Sequence, residues 1–265
     1  MYQKDIYMEG HFVKGLKRLL SYTRRACDDY SMINDGDKIA VGVSAGKDSL
    51  SLLCALAELR RFYPKKFELI AVTIDMKYDD IGGKAADYSP IRELCERLDV
   101  KYHVEPSNIA KIVFDIRKEA NPCSLCAKLR RGMVNDTAKK LGCNKVALGH
   151  HFDDAVETFM LNLFYEGRLG CFSPVTYLDR TDITVIRPFV YIPEKDIRYF
   201  AQSFELPIVE SECPANKHTE REEMKSLLRE LERENGGLRH RIFGAMQRAG
   251  IDGYVESRIK KYNDE

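Results

Sequence analysis

No apolar run in this chain is long enough to cross a bilayer, no internal repeat or low-complexity tract interrupts it, and no Gly-x-x-x-x-Gly-Lys-Ser/Thr loop occurs. A helical crossing takes about 20 consecutive apolar residues, and a Walker-type phosphate loop takes that glycine and lysine spacing, so neither class is expected. The polar start Met1-Tyr2-Gln3-Lys4-Asp5 does not read as a signal peptide. A cytoplasmic setting without membrane association is the expectation. The eight cysteines then read as metal ligands, reactive thiols or core fillers rather than as a disulfide framework. Net charge is also nearly absent, because 42 Lys and Arg face 41 Asp and Glu for a formal +1. That balance argues against a nonspecific nucleic-acid binder, although local patches still grip phosphates. One basic group holds Lys14, Lys17, Arg18, Arg24 and Arg25, and another holds Lys128, Arg130, Arg131, Lys139 and Lys140. Acidic residues gather at Asp153, Asp154 and Glu157 and from Glu220 to Glu234.

What the 265 residues do contain is an alternation of strand-like and helix-like segments. Residues 1–35 read as a helix with Phe12, Leu16, Leu19, Leu20 and Tyr22 on its apolar face, ending in the turn Asn34-Asp35-Gly36-Asp37. Strands are expected at 38–43, 67–74, 101–104, 145–149 and 183–187. Helices are expected at 50–62, 90–98, 126–141, 153–165 and 194–204, and the charged tail from Thr219 reads as mostly helical. The alternation predicts an α/β fold with a doubly wound, mostly parallel sheet, whose ligand crevice lies beyond the carboxyl ends of the strands. The expected organisation is an N-terminal helical segment (1–35), a nucleotide-binding α/β domain (36–210) and a C-terminal helical segment (211–265).

Three constellations carry chemistry. Ser44-Ala45-Gly46-Lys47-Asp48-Ser49 sits between the first strand and the first amphipathic helix. A strand, a tight turn and a helix start aim backbone N–H groups and the positive end of a helix dipole at an anion. Ser44 and Ser49 add hydroxyls and Lys47 a charge; the plainer reading is an ordinary βα turn with a serine cap. Next, Gly149-His150-His151-Phe152-Asp153-Asp154 directly follows the strand at 145–148. Asp153 and Glu157 lie four apart on one helical face, and such like charges repel unless a cation or basic groups compensate. The plainer reading is that Asp153 and Asp154 simply favour the helix N-terminus. Last, Cys123-Ser124-Leu125-Cys126 opens a predicted helix, so both sulfurs fall on one side of the chain. A soft metal, a redox dithiol and half a zinc site all fit two thiols, with Cys213 a third candidate ligand. Cys27, Cys54, Cys95, Cys143 and Cys171 read as small core residues.

The first loop resembles the Ser-Gly-Gly-Lys-Asp-Ser loop of the PP-loop ATP pyrophosphatases, with Ala45 in place of the first glycine. The Cys-Ser-Leu-Cys-Ala-Lys-Leu-Arg-Arg-Gly run, the Ala-Leu-Gly-His-His-Phe-Asp-Asp run, Ile186-Arg187-Pro188-Phe189 and Glu194-Lys195-Asp196-Ile197 are similar to the tRNA 2-thiocytidine synthetase group in preserved order. The similarity runs from about Gly36 to Gln247. It implies an ATP-dependent enzyme that adenylates C2 of a tRNA pyrimidine, expected to be an anticodon-loop cytidine, and replaces its oxygen with sulfur. It implies ATP contacts from Ser44 to Ser49 and at Ile74, Asp75, Gly149, His150, Asp154 and Arg187, with Lys47, Asp48, Cys123 and Cys126 catalytic. It further implies a [4Fe-4S] cluster on Cys123, Cys126 and Cys213, and Mg²⁺ near Asp48, Asp153 and Asp154. Many members carry a second CxxC near the last cysteine, whereas this chain has Asn216 at the partner position. The tRNA is expected on Lys17, Arg18, Lys128, Arg130 and Arg131. A sulfur donor such as a cysteine desulfurase, and a homodimer, complete the expected partners. The rival readings are 2-thiouridine synthesis, lysidine-type amidation, and a noncatalytic nucleotide- or metal-binding regulator.

Overall fold

Strands that are apolar at nearly every position need cover on both faces. β1 (Asp37–Gly42) and β2 (Phe67–Asp75) are of this kind, buried at all positions but Lys38, Gly42, Glu68 and Asp75. The computed structural model describes residues 10–118, 122–209, 213 and 220–256, with side chains from residue 15 onward. Phe12, Lys14 and Asn216, singled out in the sequence, fall outside the described side chains.

The remaining strands are β3 (Lys101–Pro106), β4 (Lys145–Ala147), β5 (Val175–Leu178) and β6 (Ile183–Ile186). They form one six-stranded sheet in the order β3-β2-β1-β4-β6-β5. All neighbours pair in parallel except β5, which runs antiparallel to β6. The helices are α1 (Gly10–Asp29), α2 (Lys47–Phe62), α3 (Ser89–Arg97), α4 (Pro122–Lys140), α5 (Phe152–Tyr165), α6 (Glu194–Ser203), α7 (Glu220–Glu234) and α8 (Leu238–Arg248). The expected α/β architecture is therefore the observed one.

Period-two alternation sends neighbouring strand residues into separate cores. Ile39 and Val41 join a large core that takes in Leu19 of α1, Leu53 of α2, Val156 of α5, Phe200 of α6, Leu228 of α7 and Phe243 of α8. Ala40, Ile70, Val72 and Ile74 join the other core, covered by Val134 and Ala138 of α4 and by Ile109 and Val113. The N- and C-terminal helices thus share the sheet's own core. Sequence patterning did not reveal three short pieces in the sheet domain: the edge strand β5, a 3-10 turn, Tyr78–Ile81, and a π-helical turn, Lys111–Arg117.

Strand order reverses between β1 and β4, since β2 and β3 lie to one side and β6 and β5 to the other. A crevice opens at such a switch point, at the carboxyl ends of the strands. In a parallel sheet, helices begin where strands end. The starts of α2, α4 and α5 therefore collect at this one edge.

Candidate active site

The Ser44–Ser49 loop joins β1 to α2 across the switch point. Its shape is held internally: Ser49 Oγ donates to Gly46 O (3.0 Å) and accepts from Ser44 N (3.1 Å), and the two serine hydroxyls lie 3.2 Å apart. Ala45 takes the left-handed conformation at φ 63°. No side chain caps the N-terminus of α2, which leaves that end of the helix to receive an anion. A Cβ on Gly149 would lie 3.1–3.2 Å from the backbone of Asp48 and Ser49. Glycine there lets the end of β4 press against the loop.

Lys47 Nζ is held by Asp48 Oδ2 (3.0 Å) and by Glu194 Oε1 (3.1 Å) at the start of α6. Burial opposes its charge, but the two carboxylates raise its pKa above the usual value. Glu194 is itself gripped by Lys225 of α7 (3.0 Å) and Arg198 (3.3 Å). Burial pushes its carboxyl up; the hydrogen bonds and charges of Lys225 and Lys47 outweigh this and bring it to about 2. Sequence reading missed Glu194 as a site residue. Its signal was its place at the head of the Glu194-Lys195-Asp196-Ile197 run, which carried no assigned role.

His151 caps α5: its Nδ1 accepts from Asp154 N (3.3 Å), and Asp154 Oδ2 accepts from His151 N (3.0 Å). With Nδ1 accepting, Nε2 carries the proton in neutral His151. That nitrogen faces Asp154 Oδ2 at 3.4 Å and Asp48 Oδ1 at 3.8 Å. Asp48 Oδ1 is buried without a hydrogen-bond partner. An orphaned carboxylate oxygen beside an anion cradle suits Mg²⁺, which is commonly bound by one or two carboxylates together with substrate phosphates. Asp153 does not join this set. Its oxygens accept from Glu194 N (2.7 Å) and from Arg239 of α8 (3.0 Å), and Arg239 also meets Glu157 at 3.4 Å. The compensating cation for the Asp153–Glu157 pair is an arginine from the C-terminal segment.

His150 and Arg187 flank the Phe172 ring, at 4.9 Å between ring centroids and 5.1 Å from guanidinium to centroid. Burial, reinforced by the Arg187 charge, lowers the His150 pKa to about 4, so the ring is neutral at pH 7. Arg187 donates to Ser173 O (2.5 Å) and Thr176 Oγ1 (3.2 Å); burial lowers its pKa to about 10, leaving it a cation. Arg187 Nε and His150 Nδ1 are both buried without partners. Ile74 lies within the β2–β3 ladder, and the Asp75 carboxylate accepts from Lys77 N (3.1 Å) and Tyr88 Oη (3.3 Å).

Cys123, Cys126 and Cys213 line one cavity of about 120 Å³, with Tyr78, Phe114, Pro122 and Arg130. Burial pushes the Cys126 thiol up, Arg130 pulls it down, and the nearby Cys213 and Cys123 push it up again. Among the described residues no three His, Cys, Asp or Glu side chains are grouped to hold a single metal ion. The thiols border a space instead of meeting at a point, and a sulfur-only donor set around a space suits an iron–sulfur cluster better than zinc. Cys27, Cys54, Cys95 and Cys143 are buried in the cores, and Cys171 is half-buried with Sγ near Ala155 O (3.4 Å). The basic residues are divided. Lys128 and Arg131 lie exposed on α4 beside Arg130, whereas Lys17 and Arg18 ride on α1 over the opposite face of the sheet. Arg18 pairs there with Asp196 (2.9 Å).

A family profile described as a PP-loop domain matches residues 14–231. The chain is 42% identical over 233 residues to a tRNA-cytidine(32) 2-sulfurtransferase from Geobacter sulfurreducens, covering 87% of this chain and 89% of the relative. It is 37% identical over 255 residues to the protein of that name from Teredinibacter turnerae, covering 96% and 83%. Among solved structures, the U34-tRNA thiolase NcsA from Methanococcus maripaludis, with its [4Fe-4S] cluster, shares the fold at a TM-score of 0.72 and 24% identity, covering 94% of this chain and 81% of that one.

Proposed function

Because the chain belongs to the PP-loop tRNA-cytidine(32) 2-sulfurtransferase family, we propose that it uses ATP to replace the C2 oxygen of cytidine 32 in tRNA with sulfur. The pyrimidine oxygen is a poor leaving group, so it is first adenylated with release of pyrophosphate. Lys47, the open N-terminus of α2 and the serine hydroxyls of the loop bind the departing phosphates and stabilise their charge. Asp48 holds Mg²⁺ through its unpartnered Oδ1, while Lys47 keeps the other oxygen of that carboxylate in place. Arg187, with an orphaned Nε, and neutral His150 supply further polar contacts to the nucleotide. Arg130, Lys128 and Arg131 meet the RNA backbone beside the thiols. The apolar enclosure given by Phe114, Tyr78 and Pro122 keeps water from the activated base.

Cys123, Cys126 and Cys213 hold a [4Fe-4S] cluster, which when bound supplies sulfur to C2, drawn from a donor such as a cysteine desulfurase. The observation that carries this reading is the convergence of the Cys123/Cys126 pair and the sequence-distant Cys213 on one cavity. An amidating relative has no use for those thiols. Among the described residues no helix is long and apolar enough to cross a membrane, in keeping with a tRNA substrate. The test is pyrophosphate release by anaerobically reconstituted protein. Release that depends on transcript tRNA supports the reading, and release indifferent to tRNA counts against it.

A further inference from the structure

A larger cavity, of about 530 Å³, lies next to the thiol cavity and has no task in the reading above. Its volume falls in the range of small-molecule sites, roughly 300–1,000 Å³. Cys126, Leu129, Arg130 and Met133 share one face of α4 at helical spacing. Cys126 and Arg130 line the thiol cavity, while Leu129 and Met133 line the larger one. Tyr78 and Lys77, adjacent in the chain, divide between the two in the same way. The cavities therefore run side by side along one wall.

The lining is mainly apolar, from Ile109, Ile112, Leu129 and Met133, with Asp80 and Asn108 among its polar groups. A triphosphate is a poor occupant, because the one cation among the described lining residues, Lys77, is paired with Asp75 at 3.5 Å. Neither the Asp80 carboxylate nor the Asn108 amide has a hydrogen-bond partner among the described side chains and backbone, and both residues are exposed.

Resting on the thiolation reading, we infer that this cavity receives the target base extruded from the RNA, and that Asp80 and Asn108 select cytosine over uracil. Bases worked on by enzymes leave the stack for a snug pocket and are read on their Watson–Crick edge. The cytosine edge offers an amino donor at N4 and an acceptor at N3. An ionised carboxylate only accepts, so Asp80 takes the N4 amino group, and the Asn108 NH₂ donates to N3. Uracil turns a carbonyl toward Asp80 and is repelled. Leu129, Met133 and Ile112 lie against the ring, and its C2 oxygen stays unbound.

The experiment uses full-length, anaerobically reconstituted protein with tRNA transcripts carrying C or U at the target position. Asp80→Asn should reduce the preference for C over U by about tenfold or more, with the KM for ATP unchanged. A second arm places the fluorescent analogue pyrrolocytidine at the target position and needs no turnover. Its emission should rise on binding wild-type protein, and Asn108→Ala should blunt that rise while the RNA still binds. An unaltered C-over-U ratio in Asp80→Asn overturns the inference. So does a raised KM for ATP with base choice intact, because adenine shows the same donor–acceptor edge and would then be the occupant. Should the wild type thiolate neither transcript, the functional reading fails, and the fluorescence arm still decides whether a base enters the cavity.

Discussion

Ala45 holds a left-handed backbone at φ 63°, a conformation that costs a residue with a Cβ about 1 kcal/mol or more. Ala45→Gly should relieve that strain and stabilise the protein by up to about 1 kcal/mol in urea unfolding, the unfolded chain's added freedom offsetting part of the gain. Lys47 was legible from its loop. Glu194, which aims it, was not, because 147 positions of sequence contain no sign that the start of α6 returns to the start of α2. With its carboxyl held near 2 against an ordinary 4.5, Glu194 contributes stability that is complete above pH 4.5 and is lost as pH falls toward 2. Glu194→Gln should therefore be less stable than wild type at neutral pH and converge with it through that window, as followed by denaturant titrations at stepped pH. The same variant should raise the KM for ATP, since Lys47 loses one of its two carboxylate holds. An unchanged KM would confine Glu194 to a structural part.

Helix α5 shows how an element carries a site on one end and support on its flank. Its N-terminus offers His151 and Asp154 to the phosphate loop, while Asp153 and Glu157 turn to Arg239 of α8. Four-residue spacing of like charges in the sequence did imply a compensating cation. It did not say which one, because Arg239 lies 86 positions beyond Asp153 and a charged tail looks alike wherever it docks. Arg239→Ala takes from Glu157, only 3% exposed as a side chain, its contact at 3.4 Å and leaves it the charges of Lys225 and Arg221. The loss should be about 2 kcal/mol of unfolding free energy in urea titrations, and Glu157→Gln in that background should recover part of it. The long elements were readable from apolar periodicity, and their ends fell within a few residues of the expected positions, except that α1 stops at Asp29 instead of running to 35. β5 was not readable, because none of its residues is fully buried and no apolar run marks it, whereas the equally short β6 is mostly buried. The Lys111–Arg117 turn escaped for a like reason, since a single π-helical stretch has no distinctive spacing.

Across the molecule, the parallel sheet does the assembling: motifs far apart in sequence arrive together because each begins a helix at the edge where strands end. Individual motifs were legible, and so was their order. Their joint geometry was not, as the division of the basic residues between α4 and α1 shows, with the sheet lying between them. The same geometry distinguishes the cysteines. Cys213→Ser should abolish iron and acid-labile sulfide in anaerobically reconstituted protein, whereas Cys143→Ser, in the core beneath α4, should retain both. Thiolation requires a sulfur atom to reach a cytidine. Nucleosides from transcript tRNA, incubated without oxygen with reconstituted protein, ATP and sulfide, should contain 2-thiocytidine by mass spectrometry, and only when ATP is present. Unmodified cytidine from an enzyme that is loaded with iron and sulfide and cleaves ATP would contradict it.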